Sequence, residues 1–305
     1  MSSSPTNRKY INPVFIVGLP RSGSTLLQGI LCNSGVYFPM PETHFFSKVA
    51  FDLPHKNLNK KHRKRIQNKL VKKSSIKLKR QIPDSLTAVK DVFEFVVDEF
   101  NTYDCRTFLE KTPRHIFFYF EILQYYPAAR FICMVREPKN AVSSHLVMSE
   151  KRNKSVIRVS TLYSKIVSAI FNIRNNSNVF VLKFEDLTDK TEESIKDVCK
   201  FLNIPFNESL IEYVNAPSGI IMAHESWKRK NIEVKKVKRN QPARWKEVLT
   251  DEQADLVIFI TKTQAQKFGY NPRYNPIRVC CAFYQDIPKL IQRRELKRLF
   301  SKCYI

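Results

Sequence analysis

One stretch limits what the chain can fold into more than any other: Val14-Phe15-Ile16-Val17-Gly18-Leu19-Pro20-Arg21-Ser22-Gly23-Ser24-Thr25-Leu26-Leu27. Its apolar opening predicts a buried parallel strand. Gly18, Pro20 and Gly23 predict a tight turn, and the apolar spacing from Thr25 predicts a helix. A strand, a glycine-bearing turn and a helix start make an anion site. Successive backbone N–H groups face into the turn, and the positive end of the helix dipole lies behind them. The spacing of Gly18 and Gly23 matches the start of a Walker A loop, yet Ser24-Thr25 stand where its Lys belongs, and the basic residue is Arg21, inside the loop.

The rest of the chain alternates strands with helices. Helix 26–34 is closed by Gly35, and Thr43 is a candidate cap for a helix from His44. A basic run at 56–80 reads as a surface helix with Ile66 and Leu70 inward, and helix 85–100 turns Val89, Phe93, Val96, Val97 and Phe100 inward. Strand 107–110 ends at Lys111-Thr112-Pro113 and leads to helix 114–126; strand 130–135 ends at Arg136 and leads to a helix from Pro138 to about Ser149. Helix 155–174, strand 179–182 and helix 191–202 follow, then a basic aperiodic loop at 216–243 and a helix from Trp245 to Phe268, with Trp245 expected in the core. Such alternation implies right-handed crossovers and a parallel sheet. The expected class is α/β, a P-loop-type three-layer fold with a central parallel sheet flanked by helices. Its expected organisation is one domain over 1–276, with 45–105 as a helical insertion on the acceptor side. A basic helical tail follows at 277–305, helical over about 286–303.

A chain of 305 residues, 43% hydrophobic, is long enough to bury a large α/β core. It has no run of 18 apolar residues, and Met1–Asn12 is polar, so the expectation is a cytoplasmic protein. Seven scattered cysteines without a CxxC pair argue against a disulfide framework and a zinc site; Cys133 lies in an apolar strand, a core position. The net charge of +24 calls for anionic partners.

Three predicted strand ends carry charged or phosphate-cradling residues: Gly18–Thr25, Glu110-Lys111 and Arg136. Ligands of open α/β sheets bind at strand carboxyl ends. A kinase needs the loop Lys and an Asp at a strand end to hold magnesium. Here one strand ends in Arg136, and another reaches Glu185-Asp186 only behind Lys183 and Phe184. An arginine in that place suits a second anion. The site reads as one for a nucleotide with two separated phosphates, handled without a metal ion.

That pattern resembles the sulfotransferases that use 3′-phosphoadenylyl sulfate (PAPS), most strongly the tyrosylprotein and glycan branch, over residues 13–270. The resemblance implies that Pro20, Arg21, Ser22, Gly23, Ser24 and Thr25 take the 5′-phosphosulfate. It implies that Arg136 and Ser144, eight residues on, take the 3′-phosphate. It places Phe184 near the adenine, where the family usually has Tyr, and Lys236 and Arg239 on a loop that closes over the 3′-phosphate. In that branch a loop Glu is the proposed base, matched here by Glu42; a strand-end Lys, matched by Lys111, assists, and Arg21 supports the sulfuryl oxygens. The implied acceptor is a hydroxyl on a glycan, peptide tyrosine or small molecule.

Other roles are open to these residues. Arg136 has Glu137 or Glu185 within reach in sequence for a salt bridge, Lys111 has Glu110, and His44 is an alternative base. The alternatives for the whole protein are a nucleotide or small-molecule kinase with a degenerate P-loop, and a non-catalytic polyanion-binding protein. The basic run suits either a solvated helix face or a groove for an acidic polysaccharide or peptide. No aromatics within 56–80 suggest base stacking, so no specific nucleic acid is expected. Peripheral membrane contact through the basic tail is a further expectation.

Overall fold

The computed structural model describes residues 10–101, 106–147, 154–212 and 244–291. Among the described residues the strands are β1 (Val14–Gly18), β2 (Phe38–Pro39), β3 (Phe108–Lys111), β4 (Arg130–Val135) and β5 (Val179–Lys183). They form one sheet in the order β2-β3-β1-β4-β5. β1 and β2 both run parallel to β3, with Val14 opposite Leu109 and Ile16 opposite Lys111. Parallel neighbours need crossover connections, and helices supply them. Every residue of β1 and β3 is buried. A strand covered on both faces shows no polar alternation, which is why Val14–Val17 reads as one apolar run. The expected α/β class, a central parallel sheet flanked by helices, is the observed one.

The chain divides into two compact units. The first comprises the described parts of Met1–Val17, Ser24–Ile132 and Ile195–Val237. Its helices include α1 (Ser24–Cys32), α2 (Lys60–Ser74), α3 (Val89–Asp98) and α4 (Tyr119–Tyr125). An aromatic cluster fills its core: Phe15 stacks on Phe131 at 5.4 Å between centroids and meets Phe108 edge-on at 5.8 Å. α2 opens with a capping box between Asn59 and His62, and it buries Ile66 and Leu70 as expected. One member of the basic run is internal. Arg63 is buried and donates to Leu58 O at 2.7 Å and to Asp84 at 2.5 Å.

Three helices differ from expectation here. The segment after Thr43 is only a π-helical turn, Phe45–Val49, because His44 takes a left-handed φ of +50° and breaks the helical path. Residues Pro113–Phe118 form a 3-10 turn before α4 begins, and Phe100 lies past the end of α3, half-buried.

The second unit comprises Gly18–Gly23 and the described parts of Cys133–Ser194 and Lys238–Ile305. It holds α5 (Pro138–Val147), α6 (Val156–Ile173) and α7 (Phe184–Asp189). α8 (Thr191–Leu202), from Ile195 onward, and α9 (Ser209–Glu212) fall in the first unit, and α10 (Asp251–Gln266) and α11 (Pro276–Ile291) complete the helices of the second. α6 is the apolar centre, packed against α5, α10 and α11.

Trp245 departs from expectation: it sits half-buried in a 3-10 turn, with the Lys139 ammonium 4.4 Å from its ring centroid. The helix restarts after it because Thr250 and Gln253 form a capping box, which sets the start of α10 at Asp251. The tail helix begins at Pro276, ten residues before the expected start, because Val279, Ala282 and Asp286 are buried against the unit. Its expected continuation beyond 291 lies outside the described residues.

Candidate active site

The loop after β1 is shaped by glycine. Gly18 has φ +122°, and a Cβ on it would lie 2.3 Å from Met134 O. Leu19 N donates to the same carbonyl at 3.2 Å. Ser22 turns its hydroxyl inward to Leu19 O at 2.6 Å, so its side chain braces the turn. Gly23 has φ +84°, and a Cβ there would meet the Phe184 ring at 2.6 Å. α1 then starts at Ser24, which is buried, while Pro20, Arg21 and Thr25 are half-buried.

Three residues far apart in sequence gather on this loop. Arg21, at a left-handed φ of +72°, donates from Nε to Ser144 Oγ at 3.3 Å. Arg136 donates from Nη1 to Arg21 O at 2.8 Å, and its guanidinium lies 4.0 Å from the Phe184 ring centroid. Phe184 therefore packs close to Gly23 and also lies against the Arg136 guanidinium. Arg136 Nε is buried and has no hydrogen-bond partner. Burial holds its pKa below the usual guanidinium value, against the attraction of Glu185 and Glu137, and it stays cationic at neutral pH. The two carboxylates that Arg136 had within reach are engaged by other donors, two backbone amides and a tyrosine hydroxyl. Glu185 accepts from Glu137 N at 3.0 Å and from Tyr270 OH at 2.7 Å, and Glu137 accepts from Asn140 N at 2.8 Å. A cationic cluster with a leftover buried donor fits an anion, whose oxygens satisfy such donors. Lys236 and Arg239 lie outside the described residues.

The first unit holds the other predicted residues. β3 ends at Lys111, 1% exposed, which donates to Glu42 Oε1. Glu42 itself retains 19% of its side-chain exposure, so its carboxylate stays reachable. Lys111 does not pair with its neighbour Glu110, because successive strand side chains point to opposite faces. Glu110, fully buried, instead accepts from Thr43 Oγ1 at 2.9 Å and Thr112 Oγ1 at 2.5 Å, and it meets His115 Nδ1 at 3.0 Å. Burial alone would push the Glu110 carboxyl up, but His115 and the two threonine hydroxyls outweigh it and hold it below the usual range. This network clamps Thr43 beside Glu42. Thr43 was expected only as a helix cap, and no role was expected of Thr112 and His115; the only signal for Thr112 was a polar Glu-Lys-Thr run closing an apolar strand.

His44 Nε2 lies 3.6 Å from Glu42 Oε2, and its Nδ1 is buried without a hydrogen-bond partner. Burial holds the imidazole well below its usual pKa, with Lys48 adding to the effect, so His44 is neutral at neutral pH.

A family model described as "Sulfotransferase family" matches residues 13–208. The fold is similar to the sulfotransferase domain of the Synechococcus PCC 7002 olefin synthase, at TM-score 0.59 and 19% identity, covering 90% of this chain and 100% of that one. It is similar to the sulfotransferase domain of the curacin biosynthetic pathway, at TM-score 0.58 and 18% identity, covering 86% and 99%. It is also similar to mouse sulfotransferase SULT7A1 complexed with PAP, at TM-score 0.50 and 13% identity, covering 91% of each. These likenesses concern the fold. An uncharacterized protein of Aquifex aeolicus (strain VF5) is 21% identical over 236 residues, 72% of this chain and 29% of that protein. The chain thus spans less than a third of that relative's length.

Proposed function

The chain belongs to the sulfotransferase family, and from that premise we propose that it moves a sulfuryl group from PAPS to a hydroxyl acceptor with Glu42 as general base. The observation that carries the donor assignment is Arg136. Its guanidinium is held by Arg21 O and Phe184, and its buried Nε is left without a partner. Arg136 and Ser144 take the 3′-phosphate, and the loop amides with Arg21 take the phosphosulfate. That a structural neighbour is complexed with PAP supports the same donor class.

In the proposed step the acceptor hydroxyl gives its proton to the Glu42 carboxylate. The acceptor oxygen bonds to sulfur as the bond from sulfur to the bridging oxygen breaks. Adenosine 3′,5′-bisphosphate leaves with the electron pair. Lys111 holds Glu42 in place before the step and supplies positive charge to it. Arg21 supports the sulfuryl oxygens. A general base contributes roughly 10²–10⁴-fold.

The test joins calorimetric titration with adenosine 3′,5′-bisphosphate to transfer of labelled sulfate from PAPS to a panel of glycans, tyrosine peptides and small hydroxyl compounds. Glu42→Gln is expected to keep nucleotide affinity and lose turnover by about 10²–10⁴-fold. Full turnover in that variant removes the base role, and binding of magnesium–ATP alone overturns the donor assignment.

A further inference from the structure

α11 carries a face that the sulfuryl-transfer reading does not use. Its inward side chains, Val279, Ala282 and Asp286, are buried and fall within one narrow arc of the helix. The arc opposite holds Ile277, Cys280, Cys281, Tyr284, Pro288 and Ile291 and contains no charged residue. It is open: Ile277 is 76%, Tyr284 79% and Ile291 60% exposed, and both cysteines are exposed free thiols. A surface helix of a soluble domain ordinarily shows polar residues on its outward face. A contiguous apolar stripe in that place marks an interaction site.

We propose that this stripe docks on an anionic lipid surface, with α11 lying in the plane of the headgroups. Charge selects this occupant. The chain carries net charge +24, so a second copy seated on the stripe would meet strong like-charge repulsion. An anionic bilayer attracts the same charge. The fourteen residues that follow α11 in sequence contain Arg293, Arg294, Lys297, Arg298 and Lys302 against the single acid Glu295. An apolar helical stripe continued by basic sequence is the composition of an interfacial membrane anchor. Tyr284, with an apolar ring and a polar tip, suits the boundary layer. The docking depends on α11 staying folded on its unit. Asp286 secures that by accepting from Ser155 Oγ at 2.6 Å and from Val156 N and Ile157 N at 3.1 and 2.9 Å at the start of α6.

The test is co-sedimentation of the full chain with vesicles of phosphatidylcholine alone or mixed with phosphatidylserine, at low and high salt. The wild type is expected to favour the phosphatidylserine vesicles by about tenfold or more and to release at high salt. The double variant Ile277→Asp, Tyr284→Asp changes only exposed side chains. It is expected to bind those vesicles about tenfold more weakly. Its thermal unfolding and its affinity for adenosine 3′,5′-bisphosphate should be unchanged. Equal vesicle binding by wild type and variant overturns the proposal. So does an absence of vesicle binding, or a wild-type dimer in light scattering that the variant abolishes, which would assign the stripe to a second copy.

Discussion

Replacing Arg136 with Met separates affinity from stability. Without nucleotide, the wild-type guanidinium makes one hydrogen bond to Arg21 O and lies over Phe184. Losing these costs about 1 kcal/mol for the bond and about 0.5–2 kcal/mol for the ring contact. The substitution also removes a buried Nε that has no partner, whose desolvation costs about 1–3 kcal/mol. Met has similar reach and makes a favourable sulfur–ring contact of about 0.3–1.5 kcal/mol with Phe184. These terms offset, so the unliganded variant should unfold within about 1 kcal/mol of wild type, a shift of about 3 °C. With nucleotide the balance reverses. Two charge-assisted donors, at roughly 1.5–3 kcal/mol each, no longer meet the phosphate, and affinity for adenosine 3′,5′-bisphosphate should fall about 10²–10⁴-fold. Titration calorimetry reads the affinity, and thermal unfolding without ligand reads the stability. A variant that keeps its affinity within about tenfold, or one destabilised by more than about 3 kcal/mol, would refute the reasoning.

Other perturbations follow from single contacts. Gly18→Ala places a Cβ 2.3 Å from Met134 O and 2.9 Å from Met134 N, backbone atoms that cannot yield, at a φ of +122°; it should cost more than about 3 kcal/mol in denaturant unfolding. Asp286→Ala leaves Ser155 Oγ, Val156 N and Ile157 N without their acceptor and should lower stability by roughly 2–4 kcal/mol in the same assay. His44 is held below its usual pKa by burial, so the unfolded chain binds its proton first as pH falls. Stability is therefore full above the unfolded pKa of about 6.5 and declines as pH drops below it. His44→Asn, which tolerates the left-handed φ and does not titrate, should flatten that decline in thermal scans between neutral pH and about pH 5.

Local features were legible where one short stretch supplies both cause and effect. The apolar run at 14–17, the glycines at 18 and 23, and the alternation that demands a parallel sheet all act within a few residues. β4 is found as expected at Arg130–Val135 and α8 at Thr191–Leu202 for the same reason. The turn at His44 and the start of α11 were not legible, because each is set by tertiary burial that overrides propensity. Phe184 shows the same division. The resemblance placed it by the adenine, and the structure packs it against Gly23 and beneath Arg136. No local spacing encodes either contact.

By itself, the sequence determined the residue types at the strand ends, the covalent shape of the loop and the sign of its charge. Tertiary structure alone decided the partners: Arg21 with Ser144 across 123 positions, Lys111 with Glu42 across 69, and the apolar side of α11 that faces out. The reason is physical. Propensity and glycine geometry act over a turn or two. A buried cation is matched to its carboxylate only when folding brings distant segments together and removes the water between them.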